Sequence, residues 1–154
     1  MKKILAIILS NLALSVIAFA HGEVEVGPHG GRILEFSKNK TIQGEVTVKD
    51  GKFHVALLDK SMKPIDLLAQ QLTATLANKL HPEKLLVEKV GAEFVVPLVK
   101  EDAWVVFQFR TDTNAKPITA RLHYETHLCG ECKKPEWLCV CAAEKSKATQ
   151  PSAK

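Results

Sequence analysis

The chain has 154 residues, 46% of them hydrophobic, with 21 lysines and arginines against 17 acids. That is enough apolar residue for one domain with its own core and too much for a disordered chain. A formal charge of +4 gives no electrostatic case for nucleic acid as a partner.

Met1-Lys2-Lys3 opens the chain, and an apolar run from Ile4 to Phe19 follows, interrupted only by Ser10, Asn11 and Ser15. A charged start, a short apolar stretch and the small residues of Ala18-Phe19-Ala20 are the marks of a secretory signal peptide. Residues 1–20 are therefore expected to be removed, leaving His21 as the mature amino terminus; a cut after Ala18 is the alternative. No cysteine lies near that junction, so no lipid anchor is expected. Nothing later reaches the roughly 18 continuous apolar residues of a membrane span. The expected location is outside the cytoplasm, in a bacterial periplasm or at the cell exterior, where thiols tend to oxidise. Cleavage takes Lys2 and Lys3 from the 21 basic residues, which brings the mature chain closer to neutrality.

From residue 21 to 127 the pattern has period two, with turn signals about every eight to twelve residues. This predicts an all-β domain, a small antiparallel β-sandwich of about seven to eight strands. Strands are expected near 32–36, 41–48, 52–59, 71–77, 84–89, 93–99, 103–111 and 118–126. Ile42, Val46 and Val48 share one parity, as do Phe53, Val55 and Leu57, and Asp50-Gly51 between them is the strongest hairpin signal in the chain. Each strand is expected to bury one face. Lys63 to Gln71 has room for a helical turn, with Pro64 arguing against a longer helix. Pro97 is expected on an edge strand or at a bulge. Trp104, Phe107 and Phe109 are read as core packing. Residues 128–141 hold a cysteine cluster, and 142–154, without large apolar residues, form an expected disordered tail.

Gly27-Pro28-His29-Gly30-Gly31-Arg32-Ile33-Leu34-Glu35, with Gly44 to Val48 and Lys52 to Asp59 after it, resembles a small periplasmic β-sandwich domain. That domain occurs alone and beside the adaptor subunits, or membrane fusion proteins, of bacterial heavy-metal efflux pumps. The resemblance covers roughly residues 24–125 by pattern and is carried by the G-P-H-G-G turn and the two strands that follow. It implies an all-β module in a metal-handling context and supplies no catalytic residues. The chain lacks the length and heptads for an adaptor's helical hairpin, and the cysteines lie outside the similarity.

All four cysteines fall within Cys129-Gly-Glu-Cys132-Lys-Lys-Pro-Glu-Trp-Leu-Cys139-Val-Cys141. A CxxC and a CxC separated by six residues including Pro135 can fold back so that four sulfurs reach one tetrahedral ion, for which Zn²⁺ or Cu(I) is the suitable soft cation. Two disulfides joining the CxxC to the CxC are the competing reading in an oxidising compartment, and would make the chain a stapled structural or interaction module that docks onto another envelope protein; each would contribute about 2–3 kcal/mol and order only this segment. A redox-active CxxC fits less well, because Cys129 follows a strand and opens no helix.

Among the six histidines, His127 lies two residues before Cys129 and is a further candidate ligand, or an exposed strand end. His21, once amino-terminal, offers its amine and Nδ1 to one ion, and with His29 would form a copper-binding histidine brace, on which a copper oxidase or oxygenase could be built; an incidental terminal histidine is the alternative. GxSxG, HExxH and P-loop motifs are absent, and no enzyme is expected. The partners expected are the metal ion and an envelope efflux or metal-delivery protein. Intact mass of the exported protein should place its first residue at His21; a start at Phe19, or a retained signal, removes the amino-terminal copper site.

Overall fold

In the computed structural model, which describes residues 24–78 and 81–141, period-two alternation resolves into two antiparallel sheets. Residues 1–20, expected to be a signal peptide, His21 and residues 142–154 lie outside the described residues. The strands run β1 Arg32–Glu35, β2 Ile42–Lys49, β3 Lys52–Asp59, β4 Gln71–Leu76, β5 Glu83–Leu85, β6 Glu88–Val90, β7 Glu93–Pro97, β8 Ala103–Arg110 and β9 Ile118–Tyr124. One sheet has the order β1-β2-β3-β7-β6 and the other β5-β4-β8-β9. Leu34, Val46, Val55, Leu57 and Phe94 from the first meet Leu72, Val105, Phe107 and Leu122 from the second in a single core. The all-β sandwich expected from the alternation is the fold found.

The predicted hairpin is present. Asp50 and Gly51 both have positive φ, 48° and 69°, as a type I′ turn requires, and the register runs from Ile42↔Asp59 to Lys49↔Lys52. Ile42, Gly44, Val46 and Val48 therefore share the inward parity. At Gly44 the missing side chain makes room for Phe36, whose ring stacks on Phe109 across the sandwich at 4.8 Å and 9°.

Five expectations need correction. The single strand near 84–89 is two short strands, because the chain changes sheets at Leu86 and Val87: β5 pairs with β4 and β6 with β7. Lys63 to Gln71 makes no helical turn. Its first residues extend beside the end of β3 beyond the reach of β7, with Asp59 N–H donating to Lys63 O and Ile65 N–H to Leu57 O, both at 2.8 Å. Pro97 sits at the end of an interior strand, which is tolerable because β6 pairs only as far as Val95 and leaves Pro97 locally at an edge. Trp104 has the opposite parity to Val105, Phe107 and Phe109; it is 41% exposed and stacks flat on His123 at 4.5 Å. Finally, the first sheet buries residues on its outer face too, where Ile33, Gln43, Glu45, Leu58 and Val95 are all buried. Gly27 packs over Glu45 and Ile33 there, and Met62 takes a contact from the Gln43 amide at 3.6 Å.

Gly44→Ala should lower the unfolding free energy by about 1–3 kcal/mol, since a Cβ drives into the Phe36 ring. Urea denaturation measures it, and a Phe36→Leu background should reduce the penalty; an equal loss in both backgrounds would place the strain elsewhere.

Candidate metal centre

Beyond β9 the chain reverses twice, and main-chain hydrogen bonds set both reversals. Leu128 and Pro135 form an antiparallel bridge. Between them Cys129 N–H donates to Lys134 O at 2.8 Å and Lys133 N–H to Cys129 O at 3.1 Å, with Lys133 in the left-handed region at φ 60°. This tight turn carries Cys129 and Cys132. Pro135, with φ −54°, leads into a 3₁₀ turn over Glu136–Leu138. Cys139 N–H closes that turn on Glu136 O at 3.0 Å, and extended backbone at Cys139 then brings Cys139 and Cys141 back toward the first pair.

The ligand atoms of all four cysteines lie within 4.8 Å of one another. The Sγ atoms of Cys132 and Cys139 are 3.7 Å apart, and those of Cys129 and Cys141 are 4.0 Å apart. Four thiolates about 2.3 Å from a tetrahedral ion would be separated by about 3.8 Å, whereas a disulfide needs about 2.05 Å. The cysteines are free thiols in this structure. Their spacing fits a shared ion, so the group can bind a metal.

The thiols differ electrostatically. Backbone amides of Cys132 and Glu131 donate toward the Cys129 sulfur and draw its pKa down to about 7, so Cys129 is the readiest thiolate. Burial pushes the Cys139 thiol up to about 11. Hydrogen bonding with the Cys132 sulfur, with that of Cys139 next, raises Cys141 as well. A cation is what compensates several thiolates brought together in this way.

The loop is fastened to the sandwich. Trp137, which sequence reading did not single out, is only 7% exposed and packs edge-on against Tyr124 at 5.6 Å; Tyr124 in turn meets Phe53 of the opposite sheet at 5.1 Å. Trp137 N–H donates to Glu125 O at 3.0 Å, and Arg32 Nη1 donates to Trp137 O at 3.1 Å. A lone large aromatic inside an otherwise polar cysteine segment was the available signal for this anchor.

Among the described residues, the ligand group holds the four cysteines without His127. His127 is exposed, with Nε2 3.2 Å from Glu125 Oε1. Glu125 also lies 3.6 Å from His123, whose Nε2 is 2.7 Å from Asp102. His29 belongs to the other end of the chain and to a residue the sequence did not reveal. Glu45 is fully buried; its Oε1 accepts the amides of His29 at 2.7 Å and Gly31 at 3.0 Å, and its Oε2 is 2.7 Å from His29 Nδ1. The Nδ1 contact holds the exposed imidazole against this carboxylate. His21, the other member of the proposed brace, is outside the described residues. Of the three glycines in this turn, Gly30 alone has positive φ, at 79°. Gly27 and Gly31 are needed for closeness instead, because a Cβ would meet Glu45 and Ile33 at the first and the Val46 backbone at the second.

No family model, curated protein or solved structure matches this chain.

Glu45→Ala should destabilise the domain by about 1–3 kcal/mol, because it strands the buried amide of Gly31 and the partly buried one of His29. Glu45→Gln should cost less by keeping one acceptor. Thermal midpoints rank the variants, and metal stoichiometry at the cysteines should not change in either.

Proposed function

We propose that this is an exported protein that holds a soft transition metal ion, Zn²⁺ or Cu(I), on Cys129, Cys132, Cys139 and Cys141, and serves metal homeostasis or efflux in the bacterial envelope without catalysing a reaction. The observation that carries the proposal is the set of four sulfurs within 4.8 Å, with pair separations near those of a tetrahedral thiolate site. Sulfur donors select soft ions over Mg²⁺ or Ca²⁺. Export rests on the apolar, lysine-led segment 1–20, and the envelope context on the resemblance carried by Gly27 to Asp59.

The site has an inner and an outer half. Cys129 and Cys139 are buried, while Cys132 and Cys141 are half-buried and open to an incoming ligand. An ion held in this way exchanges with a thiolate donor on a partner protein more readily than one fully enclosed. A metal-delivery or efflux protein is the partner class that uses such exchange.

Metal content and free-thiol count on anaerobically purified mature protein test the reading together. One ion per chain, and four thiols titratable after chelation, is the expected result. No metal and no free thiols would instead establish the disulfide-stapled module, with Cys132 paired to Cys139 and Cys129 to Cys141 by proximity. Cys139→Ser with Cys141→Ser should abolish metal binding while β-sheet circular dichroism persists. In a Trp104→Phe background, the emission of Trp137 should shift to the red as the loop loosens. Full stoichiometry in the double variant would refute the four-sulfur site.

A further inference from the structure

β1 and β9 are the outermost strands of their two sheets on the same side of the sandwich, and they lie against each other there. Between them runs a slot of about 260 Å³, lined by Arg32, Lys40 and Arg121 together with Glu25 and Glu35. The charges do not cancel evenly. Lys40 takes both carboxylates, at 3.1 Å from Glu25 and 3.3 Å from Glu35. Among the described residues, that leaves Arg32 and Arg121 with no carboxylate partner.

Arg32 is the more constrained of the two. Its Nη1 donates to the Trp137 carbonyl, while its Nε is closed off from solvent and has no acceptor. Burial lowers its pKa, which means that the surroundings disfavour its charge. Two guanidiniums line one slot, one of them desolvated, and because Lys40 takes up both acids there, an anion between the guanidiniums would relieve their mutual repulsion. The guanidinium fork pairs with planar or tetrahedral oxyanions through parallel N–H donors.

We propose that the slot between β1 and β9 binds a small oxyanion, a phosphate or carboxylate group, held between Arg32 and Arg121. The site is independent of the cysteine centre. A slot of this volume has room for several water-sized groups, so the anion enters with part of its hydration.

Calorimetric titration of the full exported protein at low salt with inorganic phosphate and, separately, with succinate tests this. Saturable one-site binding by at least one of the two is expected. Arg121→Gln should weaken it about tenfold or more, by removing a charge-assisted donor pair. Arg121→Glu should abolish it, and Lys84→Gln, far from the slot, should leave it unchanged. Arg121 is exposed, so circular dichroism of its variants should match the parent. Phosphate binding alone points to a phosphoryl-bearing ligand, and succinate binding as tight or tighter points to a carboxylate. No saturation with either anion, or equal affinity in the parent and both Arg121 variants, overturns the proposal.

Discussion

The burial of Trp137 against Tyr124 is the contact on which the candidate site depends. Four cysteines in thirteen residues of loop have no reason to converge unless the backbone between them is held, and the CxxC and CxC would otherwise explore many separations at the entropic cost of closing the loop. The indole removes that freedom. Trp137 is pinned by its main-chain N–H on Glu125 O, by its main-chain carbonyl accepting from Arg32, and by a ring contact that continues through Tyr124 to Phe53 in the other sheet. The sulfurs are therefore placed by the sandwich core as well as by their own turns. Metal binding and the packing of this end of the domain are thermodynamically linked, since an ion that ties Cys139 to Cys129 also holds Trp137 in place.

A second constraint organises the outer face of the first sheet. Glu45 is a carboxylate with no access to water, and such a group is tolerable only when its oxygens are occupied. The Gly27–Gly31 turn supplies two amides and an imidazole for that purpose, and its glycines let the backbone approach closely enough to do so. The G-P-H-G-G sequence thus reads as a lid shaped around one buried acid. His29 is presented to solvent by that arrangement, and it stands apart from the sulfur site.

Edge management explains other departures from simple alternation. The chain crosses between sheets at Leu86 and Val87, so one side of the sandwich is closed by continuous chain, while the other is left to the meeting of β1 and β9. Edges are where unpaired backbone and unneutralised side chains collect. Arg32 and Arg121, neither of which has a carboxylate partner among the described residues, both line that second side.

Much of the fold was legible in the sequence because its signals are local. Period-two alternation, the double positive φ demanded by Asp50-Gly51, and the inward parity of Phe53, Val55 and Leu57 follow from neighbouring residues alone. The grouping of the cysteines was legible for the same reason, since CxxC and CxC spacing limits how far the sulfurs can separate. What a strand's second face meets is not a local property. Glu45 lies on the face of β2 that simple alternation leaves uncovered and is buried because the segment from Gly27 to Gly31 folds over it, and Trp104 looked like core until register placed it on the outside against His123. Trp137, Arg32 and Arg121 acquire their roles only from contacts between residues far apart in the chain. Sequence alone determined the alternation, the turns and the donor set; tertiary structure decided which faces were covered, how the loop was anchored and which charges were left without a partner, because those outcomes depend on how the two sheets meet.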